Sequence, residues 1–373
     1  MFIFRIIFYC IFVITFSNAA FAKNVKIAIL SELPGADLDS PNYLKDIPAA
    51  CQMAIDDQSE ALKKCGIKIN LSLKQIDVDP LAPFKALKSV YDSDALAAVG
   101  FQSSDEVAVA GKVIKNTDFL AISPYASASN LKQFMPNYLS LVANNKELAK
   151  KTEYFIQHDL KPKKIVAIVA WDSPFSRDFY QSLSEKFKRK TKLYKIWDKI
   201  HDFESNIQKI KAESPEVVLL PNFPVNTAYV IKALSKAGLN TIFVGPDSWG
   251  EGDSRFTRIL QGIHFKGYTI RQFSDFYMDK RQKDLSSRFK RTYKRNFSTV
   301  AGLYYDATSY VIKLILELHG RVDRRTIFKQ SKIDRSLIGV MGTHCISNEV
   351  CKKRRFLLIS ADETGFRFKK ILQ

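Results

Sequence analysis

Two short turns in this 373-residue chain carry the groups best suited to chemistry. Gln102-Ser103-Ser104 follows Val99-Gly100, and Tyr125-Ala126-Ser127 follows Ile122-Ser123-Pro124. Each turn comes after an apolar run and before a helix-like one. Unpaired N–H groups at a helix start and side-chain hydroxyls can together hold an anion such as a carboxylate. In an open parallel sheet the loops at the carboxyl ends of the strands share one crevice, which sets Ser103 and Ser104 facing Tyr125, Ala126 and Ser127. Such serines also serve as plain helix N-caps, and both readings stay open at this point.

Enzyme chemistry finds little support. His-Glu-x-x-His, Gly-x-Ser-x-Gly and Gly-x4-Gly-Lys-Ser/Thr are all absent. Ser-x-x-Lys occurs at Ser129–Lys132 and at Ser287–Lys290, in a lysine-rich chain and without its partner motifs. The five histidines, His158, His201, His264, His319 and His344, are scattered, as surface or core histidines are. No cofactor is expected.

Residues 1–22 read as a leader: Arg5, an apolar run from Ile6 to Phe16, then Ala20-Phe21-Ala22 with the small-x-small pattern of a cleavage site. Cleavage after Ala22 and a periplasmic location are expected. Nothing later approaches the ~20 apolar residues of a spanning helix. In an oxidising compartment the four remaining cysteines are expected as two local disulfides, Cys51 with Cys65 and Cys345 with Cys351. Neither pair has the spacing of a zinc knuckle, so no metal is expected. The net charge of +19 is spread over separate clusters at Lys186–Lys195, Arg281–Arg295 and Lys352–Arg355. None is interleaved with aromatics, which favours solvated faces over nucleic-acid binding.

The elements that must position the turns alternate. Strands at Lys26–Leu30, Ile67–Ile76, Leu96–Val99 and Phe119–Ile122 are separated by helices at Pro48–Leu62 and up to Tyr91, the latter with Pro80 in its first turn. An extended segment at Tyr138–Val142 precedes a helix from Asn144-Asn145 to about His158. After Lys161-Pro162 the rhythm repeats: strands at 165–170, 193–197, 217–220 and 241–244, and helices at 175–188, 203–211 and 226–237. The fold class is therefore α/β, with two Rossmann-like lobes and a cleft between them. Past Gly267 come a basic helix at Gln282–Tyr293 and an apolar one at Val300–His319, whose apolar face is expected to return to the first lobe. Strands at Phe356–Ser360 and Phe366–Leu372 are expected to end the second.

In order and spacing, KIAIL, Ala54-Ile55-Asp56-Asp57, the Asp77–Pro80 turn, the two serine turns, Asp202-Phe203, Gly245-Pro246-Asp247 and Tyr304-Tyr305-Asp306-Ala307 resemble one family. It is the type I periplasmic binding proteins of ABC importers, particularly the leucine/isoleucine/valine branch. The resemblance implies two lobes joined by three crossings. In this sequence they would be 23–142 with 270–345, and 143–269 with 346–373. It also implies a ligand carboxylate on Ser104, Tyr125, Ala126 and Ser127, and a ligand ammonium on Asp247, which a cationic group would suit. Phe175 and Phe223 stand where the family often has tyrosines, and Tyr305 matches the aromatic of the return helix. Ser176 and Leu44-Lys45-Asp46-Ile47-Pro48 depart from the family's glycines. Asp247 could instead cap a helix starting near Gly250. The implied function is a monomeric carrier that delivers an amino-acid-like solute to an inner-membrane permease. A ligand sensor, or a scaffold that has lost its ligand, remains the alternative.

Overall fold

The computed structural model describes residues 23–32, 43–76, 79–197, 201–250, 253–333, 336–346 and 354–372. The expected leader, Asp77 and Cys351 lie outside these residues.

The chain opens with β1 (Lys23–Glu32), whose Ile27–Leu30 stretch is buried on both faces, as the centre of a parallel sheet requires. One expected helix is two, α1 (Tyr43–Asp57) and α2 (Ser59–Lys64), because Gln58 leaves helical geometry at φ −109°, ψ 8°. Next come β2 (Ile67–Ile76) and α3 (Ala82–Tyr91), where Pro83 rather than Pro80 sits in the first helical turn. β3 (Ala97–Val99), α4 (Ser104–Ala110), β4 (Leu120–Ser123), a 3-10 segment (Ser129–Phe134) and β5 (Tyr138–Ser140) complete the first sheet. Its order is β2-β1-β3-β4-β5, with every pair parallel.

The second sheet is built from β6 (Ile165–Ala170), β7 (Thr191–Ile196), β8 (Val217–Leu219), β9 (Ile242–Pro246) and β10 (Lys266–Arg271). Around them lie α5 (Asn145–Tyr154), α6 (Pro174–Gln181), α7 (Glu185–Arg189), α8 (His201–Glu213), α9 (Pro224–Lys236) and α10 (Ser254–Ile259). The expected helix 175–188 breaks where Ser184 turns to cap α7, accepting from Phe187 N–H.

The chain then returns. α11 (Lys280–Tyr293) and α12 (Thr299–Glu317) follow, and α12 packs along α1 inside the first lobe's core. α13 (Arg324–Ile333) and a hairpin of β11 (Ser336–Ile338) with β12 (Thr343–Cys345) come next, both unread in the sequence. Finally β13 (Phe356–Asp362) adds antiparallel to β10, and β14 (Gly365–Leu372) antiparallel to β13, giving the order β14-β13-β10-β9-β8-β6-β7. Two α/β lobes are the architecture found, and the chain passes between their sheets three times, after β5, β10 and β12.

The first expected disulfide does not form. Cys51 and Cys65 are free thiols. Cys51 is fully buried where α1 meets α12, its Sγ 3.9 Å from Tyr304 O, whereas Cys65 follows the end of the separate helix α2. The helix break at Gln58 sends the two side chains to different neighbours. Cys345 is disulfide-bonded, and the expected partner Cys351 is outside the described residues. Among the described residues no cluster could hold a metal ion, and no helix is long and apolar enough to cross a membrane.

Candidate functional site

The first serine turn is set by Gly100. Its φ is +137°, and a Cβ there would meet Leu30 O at 2.4 Å, so only glycine allows β3 to turn this close to β1. Ser103 then caps α4 in a full capping box with Glu106, which uses its hydroxyl and its N–H locally. For Ser103, capping is the role the structure assigns. Ser104 points elsewhere: its buried Oγ accepts from Ser127 N at 3.1 Å and Ala128 N at 3.0 Å.

The second turn is satisfied from within. Ser123 Oγ accepts from Tyr125 N (3.2 Å) and Ala126 N (2.7 Å) while donating to Phe101 O (2.8 Å). Together Ser123 and Ser104 therefore occupy all four N–H groups from Tyr125 to Ala128. The expectation of free amides waiting for a carboxylate fails here, because two serine hydroxyls already do that work. Ser104 accepts twice and keeps its own proton to donate. Ser127 donates its hydroxyl to Asn145 Oδ1 at 2.9 Å.

A cavity of about 350 Å³ brings six of the eight singled-out residues together: Ser104, Tyr125 and Ser127 from the first lobe, Phe175, Phe223 and Asp247 from the second. Phe175, in the first turn of α6, and Phe223, at the N-cap of α9, stack with centroids 5.2 Å apart. Asp247 follows β9. It does not cap α10, since Asp253 takes that position and accepts from Arg255 N at 2.9 Å. Burial pushes the Asp247 carboxyl up to about 6, against the opposing pull of Arg271.

Two singled-out residues are not part of this cavity. Ala126 faces a small neighbouring space of about 70 Å³. Tyr305 donates to Asp57 Oδ2 at 2.7 Å and lines a separate groove with the β11–β12 hairpin, and its neighbour Tyr304 donates to Leu30 O inside the core. The residue α12 does give the cavity is Val300, in its first turn. Arg271 was also missed. It ends β10, a strand unread in the sequence, and its position beside the end of β9 is the signal that a fifth parallel strand of this sheet would have supplied.

A family model described as periplasmic binding protein matches residues 24–349. The chain belongs to that family. Among its relatives is the Leu/Ile/Val-binding protein of Citrobacter freundii, 23% identical over 239 residues, which are 63% of this chain and 64% of the relative. The Escherichia coli K12 protein of the same name is 23% identical over 245 residues, again 64% of its length. The chain thus spans just under two thirds of the curated relatives it matches. Solved binding proteins show the same fold over nearly the whole chain. A leucine-binding protein of Thermotoga maritima superposes with TM-score 0.79 at 14% identity, covering 94% of this chain and 99% of that one. A solute-binding protein of R. palustris in complex with benzoate gives 0.74 at 17%, covering 94% and 96%.

Proposed function

We propose that this periplasmic binding protein is the exported solute-binding component of an ABC importer. On this reading it closes its lobes, 23–142 with 270–345 and 143–269 with 346–373, on an amino-acid-like ligand and presents it to a membrane permease. The observation that carries the reading is the cavity itself: both lobes line it, with a donating hydroxyl on one side and a carboxylate on the other. Ser104 would meet the ligand's carboxylate, Asp247 its ammonium, and Phe175 with Phe223 would wall its side chain. Tyr125 and Ser127 line the carboxylate end. The Leu/Ile/Val-binding relatives support the ligand class, and closure by ligand needs only preferential binding to the closed state.

Two observations favour a second reading. Arg271 lies close enough to counter the Asp247 charge, and two stacked phenyl rings form the wall. Both suit an aromatic carboxylate without an ammonium, and a structural neighbour was solved in complex with benzoate. Thermal unfolding with a panel of amino acids and aromatic acids tests the two readings together. A rise in Tm with leucine, isoleucine or valine supports the first, a rise with benzoates alone supports the second, and no rise with any compound removes both.

A further inference from the structure

Two carboxylates cross the boundary between the lobes in opposite directions. Asp105, on α4 of the first lobe, accepts from Phe175 N at 2.9 Å in the first turn of α6, and also takes the hydroxyl of Ser173, the N-cap of α6. Asp178, on α6 of the second lobe, accepts from Ser129 N at 2.7 Å at the start of the first lobe's 3-10 segment. The same Asp178 oxygen takes Asn145 Nδ2 at 3.0 Å, and Asn145 Nδ2 also lies 3.2 Å from Phe175 O. The backbone of Phe175 is thus held at its N–H by the opposite lobe and at its carbonyl by Asn145, the first residue of α5. Its ring is part of the cavity wall.

We propose that Asp105 and Asp178 form a reciprocal latch that is made only when the lobes close, and that Asp105 is a positioning residue for the Phe175 wall. Each acid meets a backbone N–H that no element of its own lobe supplies, so separation of the lobes breaks both contacts at once. Charge-assisted bonds from a carboxylate to N–H are among the stronger hydrogen bonds in proteins, and here they join two bodies rather than stabilising one. Burial raises the Asp105 carboxyl above its usual range despite the Phe175 and Ser173 bonds, as expected of an acid drawn out of water by closure. Closure and completion of the cavity therefore become one event, because the contact that holds the lobes also fixes Phe175.

The proposal rests on the binding-protein reading but is tested without ligand. Spin labels at Lys88 on α3 and Lys192 on β7, in a Cys65→Ser background, report the distribution of lobe-to-lobe distances in the full chain. The wild type is expected to show a short-distance population. Asp105→Ala should deplete it with Tm unchanged, and Asp105→Asn, which keeps an acceptor oxygen, should restore much of it. Ser129→Pro removes the other N–H, together with the Ser129 hydroxyl, at a site whose preceding residue, at φ −63° and ψ 128°, already suits proline. It should deplete the same population. Identical distributions in all variants, or no short-distance population in the wild type, would overturn the latch. A ligand panel without hits would leave this result untouched.

Discussion

Ser104 Oγ accepts the Ser127 N–H at 3.1 Å, so the first residue of α4 fixes the turn that follows the next strand of the sheet. One hydroxyl thereby couples the two turns that form the first lobe's side of the cavity. A ligand meeting Ser104 meets a group whose orientation is already set by two amides.

Ser104→Ala should accordingly destabilise the protein even without ligand. It leaves the Ser127 and Ala128 amides without an acceptor in a buried turn, at a cost of about 2 kcal/mol. Urea unfolding measures it. Ser104→Thr, which keeps the hydroxyl, should lose less.

Asp247 gives a pH signature with a definite sign. Its ordinary value of 3.8 is raised to about 6 in the fold, so the native state holds this proton more tightly than the unfolded chain. The stability it contributes is present below about pH 4 and is lost as the pH rises through 6. Without ligand, Asp247→Asn should therefore be more stable than wild type at pH 7, by about 3 kcal/mol, and the difference should largely vanish near pH 4. An amine-bearing ligand reverses the preference, since it needs the ionised acid. Its affinity should fall below pH 6 in the wild type and show no such step in Asp247→Asn. Parallel chemical denaturation and titration calorimetry across pH 4–8 read both effects.

Gly100→Ala should be severe, because it forces a side chain into a positive-φ site 2.4 Å from Leu30 O. A loss of about 3 kcal/mol or more, or failure to accumulate folded protein, is expected. Gly262→Ala is the control: its φ is +72°, but no neighbour lies within 4 Å, so only the backbone preference is lost. Its loss should be about 1 kcal/mol.

The thiols should separate by accessibility. Cys65 is half-buried and should react with a thiol reagent in the native state, whereas Cys51 should react only on unfolding. Burial pushes the Cys51 thiol up to about 12, which removes the reactive thiolate as well as access. Of these two thiols, both should be labelled in denaturant and Cys65 alone in buffer, as read by peptide mapping of the labelled protein.

Tyr305→Phe should leave any ligand-induced rise in Tm unchanged, since its hydroxyl is engaged with Asp57 outside the cavity. Phe175→Ala should reduce that rise.

The strands were legible where both faces are buried. Ile27–Leu30 and Ile165–Ala170 are continuous apolar runs with no amphipathic alternative. Lys266–Arg271 was not legible, because Lys266, Tyr268 and Arg271 dilute the run that its place between β9 and β13 demands. Ser104, Ser127, Phe175, Phe223 and Asp247 follow strand ends, where loop position alone predicts a shared crevice. Tyr305 lies on a helix instead, and which face of α12 looks at the cavity depends on how α1 packs against it. The cysteine pairing failed for a similar reason: fourteen positions of sequence say nothing of a helix break at Gln58.

The packing of α12 on α1 has a consequence for how the chain is born. The apolar side of residues 43–57 is covered only in part by β1 and β2 until residues 299–317 have been synthesised, so the first lobe cannot finish folding while its N-terminal part emerges. Completion of the first lobe therefore waits until most of the chain has been made.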